Sequence, residues 1–258
     1  MGKIICISSQ KGGVGKTTTA LNLSTALALA EQNTLLLDLD FQGHTTGVLA
    51  PSCRNEGSSF YDVITGKKSV EDIIKDAGMD FLKLIPADNR LIIADYGPGP
   101  DIGKRSFLKE QLDRIKKDFD YIIIDSPPSF TRMGINGIDA ADIILIPLQC
   151  EYFALESLAQ FFKIFHGLKK KHEFETEIGG ILLNMYDPDE AVSAQIAGDV
   201  KKSFDGMVYK TIIPRCRSIR ESASRGKSII LTDITSEGAK SFISLAREII
   251  VTMHSSQE

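Results

Sequence analysis

The sequence predicts an α/β fold, one domain over residues 1–258 with a mostly parallel sheet of about eight strands and helices on both faces. Three observations predict it. Short runs of isoleucine, leucine and valine alternate with longer helical stretches. The runs are continuously apolar, the pattern of strands buried on both faces. A glycine-rich loop lies between the first run and the first helical stretch.

Residues 3–8 (KIICIS) read as a strand, and 17–31, rich in alanine and leucine, as a helix. Residues 34–40 (TLLLDLD) form the second strand, 81–86 the third, 121–125 (YIIID) the fourth and 143–147 (IILIP) the fifth. Residues 178–184 (IGGILLN) and 208–213 follow. The Gly/Pro stretch 96–103 reads as an exposed loop before a helix over 104–117. No internal repeat or low-complexity linker divides the chain.

At 258 residues the chain can bury a core without disulfides or metals. Its 43% hydrophobic and 25% charged residues are ordinary for a soluble protein and argue against disorder, collagen and coiled coil. A net charge of −4 leaves no whole-protein basic footprint for nucleic acid, only room for a local patch. Cysteines 6, 53, 150 and 216 have no C-x-x-C spacing, against a zinc or iron–sulfur site within one chain and consistent with a reducing compartment. No apolar run is long enough to span a bilayer, and residues 4–7 end in a polar loop rather than a cleavage site. A cytoplasmic location is expected.

Residues 11–18 read KGGVGKTT between a strand and a helix, the context a phosphate loop requires. Gly12, Gly13 and Gly15 let backbone N–H groups turn toward an anion at a helix N-terminus. Lys16 can reach the β- and γ-phosphates, and the Thr17 hydroxyl can ligate Mg²⁺. The candidate cradle for ATP is thus Lys11, Gly12, Gly13, Val14, Gly15, Lys16, Thr17 and Thr18. Two strand ends add carboxylates beside it: Asp38 and Asp40 after the second, Asp125 after the fourth. A lone aspartate at a strand end commonly caps a helix. Several beside a phosphate loop favour catalysis for Asp40 and Asp125, with both readings open for Asp38.

Gln10 stands where the general P-loop pattern has glycine, and Lys11 adds a second lysine. The resulting K-G-G-x-G-K-[ST] resembles the deviant Walker A motif of the ParA/MinD-type ATPases, and the resemblance runs over nearly the whole chain. LIPLQCEYFALESL (145–158) and IIPRCRSIRESASRGKSI (212–229) are similar to segments of the ParA/Soj chromosome-partition branch. The resemblance implies that Lys11 reaches the nucleotide of a second subunit in an ATP-sandwich homodimer. It also implies that Asp40 positions the attacking water, that Asp125 is the Walker B carboxylate holding Mg²⁺ through water, and that Asp38 lies near the metal shell. Pro214 and the backbone around Cys216 would lie against the adenine, and Asn184 could read the base edge. The motif begins at residue 11, so no N-terminal helix-turn-helix domain is expected. The last twelve residues lack the basic amphipathic helix with which MinD binds membrane, so no membrane anchor is expected.

The chain also departs from the family. Its D-P-Q-G-N is DFQGH at 40–44, and Asp189 and Ser218 stand where Soj-like proteins carry DNA-contacting arginines. Arg217 and Arg220 flank Ser218 and, with Arg215, are the candidate DNA contacts. Residues 200–227 hold eight basic and two acidic side chains, a local excess suited to weak, sequence-independent contact with DNA phosphates, or simply a solvated face. The reading is a partition or positioning ATPase that binds nucleoid DNA and a ParB-like or cargo adaptor protein. An orphan relative acting on a protein cargo without DNA, a metabolic P-loop enzyme and an iron–sulfur carrier are the alternatives.

Overall fold

The computed structural model describes residues 2–55, 58–97 and 106–255. Seven strands among them form one sheet: β1 Lys3–Ile7, β2 Thr34–Asp38, β3 Lys75–Met79, β4 Leu82–Ile85, β5 Tyr121–Asp125, β6 Ile143–Gln149 and β7 Glu177–Asn184. Their spatial order is β3-β4-β2-β5-β1-β6-β7. All neighbours run parallel except β3 and β4.

The apolar strands fill two cores because successive side chains point to opposite faces. Ile4 and Cys6 of β1 face one layer, Ile5 and Ile7 the other. The second layer holds α1 Lys16–Leu29 and takes Leu49 of α2 His44–Leu49, while the first receives α3 Phe60–Ile64, α4 Leu91–Tyr96, α5 Phe107–Ile115 and α6 Arg132–Ala140. α7 Ala154–His172 and α8 Ala191–Ser203 complete the first layer, burying Phe161 and Phe165. α9 Arg217–Ser224, α10 Ile229–Thr232 and α11 Glu237–Ser255 pack with α1 on the other face, around Phe242 and Leu245.

The sheet differs from expectation at both edges. β3 (KDAGM) buries only Ala77 against the solvated edge of β4, so it lacks an apolar run to reveal it. Residues 208–213 form no strand, though they run beside β7. The N–H of Tyr209 donates to Ile181 O at 3.0 Å, and that of Ile213 to Leu183 O at 2.9 Å. Between them, the Lys210 and Thr211 N–H groups donate to the Glu248 carboxylate of α11, at 2.6 and 2.9 Å. That diversion leaves two isolated bridges, Ile181–Val208 and Tyr186–Pro214. In the expected 96–103 loop, residues 98–103 lie outside the described residues. So do the first two residues of the expected 104–117 helix, the rest of which holds α5.

Ile123 of β5 pairs in register with Ile5 and Leu36 and has no exposed surface. Ile123→Ala should cost about 2–5 kcal/mol, read as a lower urea midpoint at unchanged m.

Candidate nucleotide site

Parallel register brings the functional residues to one edge of the sheet. Asp125 ends β5 opposite Ile7 of β1 and Asp38 of β2, while Asn184 ends β7 opposite Gln149 of β6. β1 lies between β5 and β6, with strands following it on both sides. Such a switch point opens a crevice at the strands' C-terminal ends.

The loop from β1 enters α1 there. Gly13 and Gly15 take φ values of 78° and 90°, which L side chains rarely adopt. Gly15 caps α1 without a side-chain bond, and the first turn carries no acidic residue. The helix therefore offers its N-terminal N–H groups and dipole to an anion. Asn184 Nδ2 donates to Val14 O at 2.7 Å, and a Cβ on Gly15 would meet that nitrogen at 2.4 Å. The Asn184 Oδ1 accepts from Met185 N at 2.9 Å. This amide, expected to read a base edge, holds the loop and also borders the cavity beside it. Lys16 is 7% exposed, and its Nζ lies 3.5 Å from Lys11 O. Burial lowers its pKa, against the charges of Asp125 and Asp40. A phosphate is the partner such an ammonium fits.

The three aspartates have separate partners. Asp125 Oδ1 lies 3.4 Å from the Thr17 hydroxyl, and Oδ2 accepts from the Thr45 hydroxyl at 2.7 Å. Asp38 Oδ2 accepts from the N–H and hydroxyl of Thr46, at 2.8 and 2.7 Å, and its Oδ1 from Asp40 N at 3.2 Å. Asp38, expected near the metal shell, therefore fastens the start of α2. Asp40 is 8% exposed and its Oδ1 accepts from Gln42 N at 3.0 Å. Burial raises the pKa of both Asp38 and Asp125. The charge of Asp125 adds to the rise at Asp38, whereas hydrogen bonds from Thr45 and Thr17 restrain that of Asp125. The Thr17 hydroxyl facing a buried carboxylate is a donor set that fits magnesium, which takes one or two protein oxygens and completes its shell with phosphates and water.

A cavity of about 360 Å³ continues from Thr18 past Asn184, Met185 and Ile213 to Pro214, Cys216 and Ile219. Its size and apolar floor fit a purine. Arg215 and Arg220 border the same cavity, so two of the three expected DNA contacts lie at its rim. Arg217 points elsewhere, its Nε donating to Glu221 at 2.6 Å. Lys11 forms an ion pair with Glu151, just beyond β6. Cys53 and Cys150 are buried in opposite layers, which separates the ligands an iron–sulfur carrier would need.

The family described as AAA domain matches residues 2–178. The sporulation initiation inhibitor protein Soj of Bacillus subtilis (strain 168) is 42% identical over 249 residues, covering 96% of this chain and 98% of that protein. The chromosome-partitioning ATPase Soj of Treponema pallidum (strain Nichols) is 37% identical, covering 97% and 98%. The chain belongs to the Soj/ParA family of ATPases. The family fold extends to the septum site-determining protein MinD of Pyrococcus horikoshii OT3, solved with Mg-ADP. That structure superposes with a TM-score of 0.77 at 27% identity, covering 96% of each chain.

Three residues of this Soj/ParA site were missed by sequence reasoning. Thr45 and Thr46 sit in a segment whose spacing gives no sign of their strand partners. Glu151 carried a signal, a lone carboxylate directly after an apolar strand. Gly15→Ala should displace the loop through Asn184 and strain the backbone. Calorimetry should show ATP binding weakened at least tenfold while the far-UV spectrum is kept.

Proposed function

We propose that this chain hydrolyses ATP to drive partition or positioning of a chromosome, plasmid or protein cargo, as a dimer holding two ATP molecules across its seam. The observation that carries the reading is the 11–18 loop, with Lys16 buried within it, Lys11 on its outer lip and Thr17 facing Asp125.

Loop N–H groups, the α1 dipole and Lys16 bind the phosphates and fix the γ-phosphate. Thr17 and Asp125 would hold magnesium, which would supply charge neutralisation on the phosphates. Asp40 orients the water that adds to the γ-phosphorus as ADP leaves. Its bond from Gln42 and the clasp of its own N–H on Asp38 set that carboxylate in place. Pro214, Cys216 and Ile219 receive the adenine. Lys11 serves the nucleotide of the neighbouring chain, which requires it to exchange Glu151 for phosphate.

The dimer binds DNA through the 200–227 segment, where Lys201, Lys202 and Arg217 are exposed. It works in the cytoplasm on nucleoid DNA, with a ParB-like or cargo adaptor stimulating turnover. Asp189 and Ser218 favour a second reading, the same ATPase acting on a protein cargo without DNA.

Light scattering tests the dimer. ATP should double the mass of the wild-type chain, and Lys11→Ala should bind ATP but remain monomeric. Asp40→Ala should remain a dimer while kcat falls on the order of 10²-fold. A Lys11→Ala chain that dimerises as wild type does would remove the cross-subunit role.

Fluorescence anisotropy on random duplex at about 50 mM salt, where phosphate contacts are strong, separates the two cargo readings. Binding by the ATP dimer that is lost in Arg217→Glu/Lys201→Glu/Lys202→Glu, with ATP affinity kept, supports DNA. No wild-type binding supports the protein-cargo reading.

A further inference from the structure

Thr45 lies in the first turn of α2 with no exposed surface. A threonine there ordinarily caps its own helix or bonds back to the preceding turn. This one reaches a strand 80 residues along the chain, donating to Asp125 Oδ2 at 2.7 Å. The bond leaves Asp125 Oδ1 turned to the Thr17 hydroxyl at 3.4 Å. Thr46, the next residue, anchors α2 independently, bonding Asp38 and accepting from Ala87 N at 2.9 Å. The fold at this point therefore has its own fastening, and the Thr45 bond is additional to it.

We propose that Thr45 is a positioning residue of the magnesium site. Its hydroxyl fixes the rotation of the Asp125 carboxylate so that Oδ1 faces Thr17. It also ties that carboxylate to the segment bearing Asp40, which leads into α2 through the Gly43 N–H donating to Asp40 O at 2.8 Å. A change at Asp125 on metal binding is thereby transmitted to Asp40. The assignment rests on the nucleotide reading above. Outer partners that orient a metal-binding carboxylate typically contribute 10–100-fold in metal affinity.

The test uses ADP, so that neither turnover nor the ATP dimer enters. Fluorescent ADP binding is titrated with Mg²⁺ for the wild-type chain, Thr45→Val, Thr45→Ala and Thr45→Ser. The valine removes the hydroxyl at nearly constant shape, and the alanine serves if the valine does not fold. Both should raise the Mg²⁺ half-point about 10–100-fold while ADP affinity in EDTA stays at the wild-type value. Serine should remain within about twofold of wild type, since it keeps the donor. Amide exchange over residues 39–49 should slow on adding Mg²⁺ to the ADP-bound wild type, and not in the valine or alanine chain. A wild-type half-point in Thr45→Val or Thr45→Ala overturns the assignment, as does equal loss of ADP affinity with and without Mg²⁺. A wild-type chain that binds no ADP overturns the nucleotide reading as well.

Discussion

Two carboxylates, Asp38 and Asp125, stand side by side in register at the end of a sheet built from isoleucine and leucine. Removing both from water carries a large desolvation cost unless each is hydrogen-bonded or paired. The surrounding architecture answers that constraint. Thr46 supplies two donors to Asp38, Thr45 and Thr17 face the two oxygens of Asp125, and Lys16 supplies positive charge nearby. α2, the start of α1 and the end of β5 are thus held by a shared electrostatic demand, separately from the apolar packing beneath them.

That demand explains why polar groups gather at this edge. Continuous apolar strands can bear polar side chains only where the sheet ends, and parallel register aligns those ends. Asp40, two residues beyond β2, is carried into position because its N–H closes on Asp38. Asp40 is thereby placed by a neighbour whose own charge burial disfavours.

The central strands were legible because β1, β2, β5 and β6 are unbroken apolar runs. The loop was legible because its glycines, lysine and threonine serve one anion. β3 was not, since an edge strand with one buried residue has no pattern to display. Residues 208–213 looked like a strand, yet Glu248, nearly forty positions later, takes the N–H groups a ladder needed. The role of Asp38 was undecided in sequence because capping and metal binding both ask for a carboxylate at a strand end. The structure adds its two bonds from Thr46 at the start of α2. Asn184 stood out in sequence as a polar residue ending a late strand, but its attachment to Val14 is a contact across 170 residues that no local pattern encodes.

The Lys11–Glu151 pair gives the resting chain a particular temperament. Its side chains are 41% and 34% exposed, so water and salt already weaken the attraction, and such pairs are worth about 0–1 kcal/mol. A latch that shallow opens and recloses by thermal motion without waiting for a signal. While closed, it turns the lip of the loop into a neutralised spot instead of a bare cation. The Lys11 charge is therefore open to any anion at the outer lip of the loop that competes for it better than Glu151 does. Timing then belongs to whatever anion arrives, with the lysine acting as its fast follower.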